Sequence, residues 1–457
     1  MCHGPLLGKI VRFSIPMMIS NIMQVLFNII DLIVIGRYAS HEAMAAVGSC
    51  GSLCSTILSI FFGLSLGANV LAARYIGAKD RVRVFRTVHT SIAVSLLGGL
   101  LLAVVGLLIV RPILIWMATP ENVLPKASLY MWIYCSGIPL ILLTSAGSSL
   151  LRATGDTRRP MMYMIFAGVI KVLLNLFLVR VVHWDVAGVA VATLISNMVA
   201  SSLLLNALAG LRDSSRLFLN KIRLYGGILI DMLKIGIPAG IQGSLFGLSN
   251  MIIQSTINSF GSKAMAGSAA TGSLEGIVYT AYITFYFAVV SFVGQNHGAK
   301  KYKRIVKSFF LCMFLGSFTA IVAGWSMYLA GPNLLKIYNP DPEVIRWGMI
   351  RLKYLLTTYF LCAIMEVIIG ALRGLGHSLI SMIVTLLGIC AFRVAWVIWI
   401  FPHYRTMENL LISYAISWIL VCIVNGTILY LICHKLFQEA AHSKLPHRGY
   451  GTLAIRS

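Results

Sequence analysis

Apolar residues follow one another in runs of about twenty, and the breaks between the runs gather the charges, prolines and glycines. Coiled as helices, such runs match the hydrocarbon thickness of a bilayer. They fall near residues 10–36, 44–73, 87–110, 126–150, 160–180 and 187–210, and again near 232–259, 264–293, 305–330, 344–372, 378–400 and 408–434. The runs are too long and too evenly apolar for the alternating strands of an outer-membrane barrel, which leaves helices as the spanning element. The pattern predicts an all-α membrane protein.

The twelve spans form two sets of six, and the second set repeats the first at an offset of about 221 residues. Ala43-Met44-Ala45 recurs as Ala264-Met265-Ala266, Gly51-Ser52-Leu53 as Gly272-Ser273-Leu274, and Gly77-Ala78-Lys79 as Gly298-Ala299-Lys300. Leu151-Arg152 recurs as Leu372-Arg373, and Ile15-Pro16 as Ile237-Pro238 with a slip of one. Because six is even, both copies enter the membrane in the same sense, and two pseudo-symmetric six-helix bundles should face each other across a central cavity. The expected domains are a first lobe over 1–210, a linker over 211–230, a second lobe over 231–436 and a basic tail over 437–457, whose polar composition argues disorder.

Hydrophobic residues make up 58% of the chain and charged ones 11%, and the formal net charge is +23. In a soluble chain that charge would point to nucleic acid. Here the lysines and arginines crowd into the amino terminus, the even-numbered loops and the tail, whereas the opposite loops are closer to balance. This positive-inside asymmetry predicts a multi-pass protein of the cell membrane with both termini in the cytoplasm, its basic clusters contacting lipid headgroups and no nucleic acid. Trp116, Trp132, Trp184, Trp347, Trp396 and Trp399 lie near the proposed outer ends, as an interfacial belt would. The first span carries polar residues unsuited to a cleavable signal core. The nine cysteines show no C-x-x-C and no zinc-like spacing, so neither a metal site nor a cofactor is expected.

Charges inside the spans are the candidates for chemistry, since each is costly in hydrocarbon unless paired or wet. They are Asp31, Lys171, Glu275, Glu366 and Arg393. Asn21, Gln24, Asn28 and Asp31 are spaced by three, four and three, so they share one helical face, suited to a proton or a sodium ion. A polar packing seam is the plainer reading of that stripe. Lys171 and Asn175 share a face of span 5, and Lys171 is the natural counter-charge for Asp31; Arg393 holds nearly the same repeat position in the second lobe. Amides on span 7, Asn250 and Gln254, and aromatics on span 8, Tyr279 and Tyr282, are candidate cavity-lining residues. Pro16, Pro139 and Pro238 are candidate kinks, and Gly236, Gly240, Gly243 and Gly247 form small-x-x-x-small pairs suited to close helix contact. Gly63-Leu64-Ser65-Leu66-Gly67 spells a nucleophile elbow but lies in a transmembrane run with no preceding strand. No catalytic cluster and no symmetric pore lining is found, so the chain is read as neither an enzyme nor a channel.

The duplicated plan, the spacing of Pro16 and Asp31, the span 1 ending Ile30-Asp31-Leu32-Ile33-Val34-Ile35-Gly36-Arg37, the repeated Gly-Ala-Lys loops and the stretch Gly370-Ala371-Leu372-Arg373-Gly374-Leu375-Gly376 together resemble the multidrug and toxic compound extrusion family, in its prokaryotic branches. That resemblance implies a V-shaped pair of bundles that exports amphipathic, often cationic, small molecules against inward protons or sodium, and the chain is expected to act as a monomer. It implies a coupling carboxylate at Asp31, a bend at Pro16 and a second-lobe cation ligand at Glu366. Lys171 and Asn175 depart from the asparagine and aspartate that one branch presents four apart on span 5, and no acid lies within span 7 beyond Asp231 at its start. A lipid-linked oligosaccharide flippase of the same superfamily is the alternative, although Lys171 and Arg393 are few intramembrane cations for such a cargo.

Overall fold

The computed structural model describes residues 1–116 and 119–442, and among them every regular element is helical. In the first half, α1 spans Leu6–Tyr38, α2 His41–Ala78, α3 Arg81–Trp116, α4 Leu124–Thr154, α5 Arg158–Asn175 and α6 Asp185–Ala209. In the second, α7 spans Gly226–Asn258, α8 Ser262–Gly298, α9 Tyr302–Tyr338, α10 Pro342–Leu356, α11 Tyr359–Gly374, α12 Ser378–Thr385, α13 Phe392–Ala395 and α14 Met407–His442. Eleven described helices are long and apolar enough to cross a membrane, and counting the bent pair α10 and α11 as one span gives twelve. The tail expected over 437–457 begins inside α14, and its residues from 443 onward lie outside the described residues.

Two spans are less regular than the hydropathy pattern suggests. The run over 344–372 is bent by 42° between α10 and α11. At the break Thr357 and Thr358 turn their hydroxyls back onto the carbonyls of Lys353 and Tyr354, which competes with the helical ladder and bends it. Asp341 caps the start of α10 by accepting from the Glu343 N–H at 2.8 Å, and that bond holds its carboxyl below the usual range. The run over 378–400 carries π-helical turns at Leu386–Ala391 and Trp396–Ile400 on either side of α13, and α5 ends in another, Leu176–Val181.

The linker is stitched to α3 rather than loose. The N–H groups of Phe218 and Tyr225 donate to His89 Nε2 and Thr90 Oγ1 at 3.1 and 3.2 Å, with a single 3-10 turn, Leu219–Lys221, between them.

The halves meet along α2, α7 and α8. Gly63 and Gly67 of α2 press on the α7 backbone at Gly236 and Met232, and Gly240 presses on Ile60, so a Cβ at any of the three would enter a main-chain atom's van der Waals shell. Of the span 7 glycines, Gly236 and Gly240 make this close contact, Gly243 only touches Ser59, and Gly247 meets open space. At the end carrying the Gly-Ala-Lys loops, Gly77 abuts the Gln295 carbonyl and Gly298 abuts the Arg74 carbonyl. These are repeat-equivalent residues, so the contact is self-complementary in the manner of a two-fold interface. Gln295 Nε2 donates to the Ala153 carbonyl at 2.6 Å, Arg74 Nη2 to the Leu375 carbonyl at 2.8 Å, and Ser291 Oγ to Asn69 Oδ1 at 3.2 Å, which closes this end across the halves.

The other end is built differently. Ala43, Ala46, Cys50, Cys54 and Leu58 of α2 join a core with Met131, Cys135, Val186 and Val189 of their own half. The ion pairs there also stay within a half: Lys126 with Asp185 at 2.8 Å and Glu42 at 3.5 Å, Lys263 with Asp341 at 3.4 Å and Glu343 at 2.5 Å. The bundles therefore part beyond the Ser59–Gly243 contact, giving a V closed at the loop-rich end.

α1 belongs to both arms. Leu6, Ile10, Phe13 and Met17 pack on Phe285, Ala288, Val289 and Phe292 of α8, whereas Phe27 and Asp31 lie against α5. The helix runs unbroken through Pro16, which marks the changeover.

Candidate functional site

The face that lines the gap can be followed along α8. Phe287 takes the Arg152 guanidinium of the first half over its ring at 5.2 Å, so its side of the helix faces that half. At helical spacing above it, Ile283, Tyr279, Gly276, Gly272 and Ala269 are exposed or half-exposed, and from Ala288 to Asn296 the helix is wholly buried. Phe287 is the floor of the cleft. On α7 the same reasoning carries the face from Gly243 through Gly247 and Asn250 to Gln254.

In the first half, Gly168 leaves room for the Phe27 ring to lie directly on α5. One turn further along α1, and one and two turns further along α5, this packing brings Asp31 onto Lys171 and Asn175. Lys171 Nζ pairs with Asp31 Oδ2, and Asn175 Nδ2 donates to Asp31 Oδ1. Asp31 is 8% exposed and Asn175 is fully buried, with its Oδ1 left without a partner. A lone carboxylate at this depth would cost several kcal/mol, which the ammonium and the amide offset. Of the other stripe residues, Gln24 and Asn28 are exposed and Asn21 is half-buried, so the stripe runs from open polar positions down to the buried acid.

The second half does not repeat this arrangement. Glu275 is held by Arg351, whose Nε reaches Oε1 at 2.6 Å and whose Nη2 reaches Oε2 at 2.9 Å, a bidentate fork. Arg351 Nη1 also donates to Ser268 Oγ, and Ser268 donates to Gln254 Oε1 at 3.2 Å. The repeat position of Arg393 suggests a counter-ion, but the structure places it elsewhere: its Nε donates to Ser417 Oγ at 3.1 Å and its guanidinium lies 3.8 Å from the centre of the Tyr414 ring. A π turn at Leu386–Ala391 precedes Arg393 and has no counterpart ahead of Lys171 in α5, so the equivalence of positions does not carry over to the contacts. Glu366 is half-buried, with Arg373 the charged group acting on it, and Arg373 is tied to Tyr286 Oη and, at 2.8 Å, to Gln242 Oε1.

A cavity of about 350 Å³ opens among α7, α8, α10, α11 and α14, lined by Asn250, Gln254, Glu275, Arg351, Tyr359 and Tyr414 among others. It contains both span 7 amides, while Tyr282 is buried beside it, packed edge-on against Tyr359 and Tyr279. Arg351, Arg373 and Gln242 are absent from the candidates read from the sequence. Arg351 sits beside Lys353 just before the bend, where its charge reads as loop-end topology; the apolar residues on both sides of it were the available signal. Among the described residues no group of three metal-ligating side chains occurs.

The MatE family model matches residues 16–177 and again 238–399, one match in each half. The chain belongs to the MatE family. Among its relatives, the "Probable multidrug resistance protein YoeA" of Bacillus subtilis is 27% identical over 406 residues, covering 87% of each chain, and an "FAD transporter" of Shewanella oneidensis is 24% identical over 396 residues, covering 84% of this chain and 86% of that one. A MOP superfamily transporter from Pyrococcus furiosus superimposes with a TM-score of 0.89 at 22% identity, over 95% of this chain and 97% of its own, which shows a shared fold. MatE membership makes the chain a multidrug-efflux-type membrane transporter and does not favour the flippase alternative.

Proposed function

We propose that the chain is a secondary active exporter of amphipathic small molecules, driven by inward protons through alternating access of the cleft. In this reading the closed, basic end faces the cytoplasm, together with both termini, the protein acts as a monomer in the cell membrane, and the structure is the outward-facing state. The observation that carries it is the buried Asp31, Lys171 and Asn175 cluster on a helix whose two ends pack on different bundles. Protonation of Asp31 removes the charge that holds Lys171. The freed ammonium must then find water or a new partner, since a buried ion without one costs about 3–5 kcal/mol, enough to shift a two-state equilibrium by orders of magnitude. Any movement of α1 on α5 reaches the closed end directly, because Leu6 to Met17 are packed on α8.

A sodium ion would have to share Asp31 with an ammonium already on it, so protons are the proposed ion. Inverted vesicles with separately imposed proton and sodium gradients test this: export of a fluorescent amphipath should follow the proton gradient and ignore sodium. In Lys171→Asn, which opens a neutral oxygen ligand beside Asp31, sodium dependence should appear. Sodium-driven export in the unmodified protein would refute proton coupling. Indifference of the variant to sodium would leave Lys171 a structural partner. The FAD transporter among the relatives suggests that cargo need not be cationic.

A further inference from the structure

The charges around the second-half cavity do not balance. Glu275 and Glu366 stand there against three arginines: the Arg351 fork holds Glu275, Arg373 is tied to Tyr286 and Gln242, and among the described residues Glu366 forms no ion pair. Arg393 is left over. It is 2% exposed, its Nη2 has no hydrogen-bond partner, and among the described residues no carboxylate forms an ion pair with it. A guanidinium does not shed its proton, so one positive charge is fixed here in a low-dielectric surround. The Tyr414 face offsets part of that cost, by an amount smaller than a counter-ion would supply.

The surplus charge adjoins the cavity. Arg351, Tyr359 and Tyr414 line it, and the Arg393 guanidinium lies behind that wall, 3.8 Å from the centre of the Tyr414 ring. Asn250 and Gln254 add amide donors on the α7 wall, along the face that looks into the cleft. A room of about 350 Å³ holds a fused aromatic ring system bearing one charged group.

We propose that this second-half cavity is a binding subsite for the anionic group of a flat aromatic substrate, with Arg393 supplying the charge and Tyr359, Tyr414 and the α7 amides the contact surface. It rests on the exporter reading for why such a ligand would enter. It reverses the cation preference that the family resemblance implies.

The test is equilibrium binding of two tritiated ligands of nearly equal shape and opposite charge, naphthoate and naphthyltrimethylammonium, to the full chain in nanodiscs without any gradient. Naphthoate should bind roughly tenfold tighter or more, a preference that Arg393→Met erases and Arg393→Lys retains. In Asn250→Cys, which leaves Arg393 in place should Arg393→Met not fold, naphthoate should slow maleimide labelling of the new thiol. Equal or reversed affinity in the unmodified protein, survival of the preference in Arg393→Met, or unprotected labelling at Asn250→Cys would each overturn the proposal. Failure of the exporter reading gives a different signature: naphthoate still binds, and no ion gradient moves it.

Discussion

Asp31→Asn is expected to abolish ion-driven export while leaving passive exchange measurable. The amide cannot take up and release a proton, so an inward ion no longer changes the charge that Lys171 sees. The single substitution also strands a buried ammonium, at about 3–5 kcal/mol, and so confounds coupling with folding. Asp31→Asn combined with Lys171→Met removes both charges and keeps an unbranched chain of similar length at the second site. That double variant should fold, retain substrate counterflow in proteoliposomes, and fail to accumulate substrate against its gradient. Undiminished uphill export in either form would remove Asp31 from the coupling path.

The second large effect is expected at the closed end. Gly77→Val and Gly298→Val each drive a side chain into a carbonyl of the opposite half, Gln295 in one case and Arg74 in the other. Backbone cannot step aside as a long side chain can, and overpacking of this kind costs typically about 1–3 kcal/mol. The cost falls on the state in which this end is shut, so the population should move roughly tenfold or more toward the state in which it is open. Spin labels on Arg83→Cys and Lys303→Cys, both on exposed positions beside the seal, should report a longer distance in each glycine variant. Because the contact is repeat-symmetric, the two variants should behave alike. Gly272→Ala, whose Cβ meets nothing, is the control. An unchanged distance distribution in both valine variants would mean that these glycines do not hold the end shut.

Much of the architecture is written in hydropathy and repetition. Long apolar runs leave one choice of spanning element, and a second copy of Gly77-Ala78-Lys79 at Gly298 to Lys300 leaves little doubt about duplication. The juxtaposition of Asp31 with Lys171 was accessible for the same reason: two opposite charges in one lobe, each on a face with amides, have few other places to go. Arg351 escaped because the bend at Thr357 and Thr358 is made by side-chain hydroxyls competing for carbonyls, which a hydropathy profile does not register. The same profile is blind to the π turn ahead of Arg393, a side chain that rests on Tyr414 rather than on an acid. Glycine spacing on α7 identified a packing face but not its extent. Gly236 and Gly240 meet α2, whereas Gly247 opens onto the cavity, and only the divergence of the bundles separates the two cases.

The self-matching of Gly77 and Gly298 at the seal has a consequence for how the molecule holds itself together. Each copy offers the other the same knob and the same socket, so two unlinked halves would carry all the information needed to find one another in the plane of the lipid. The segment joining α6 to α7 then serves stoichiometry and proximity more than recognition.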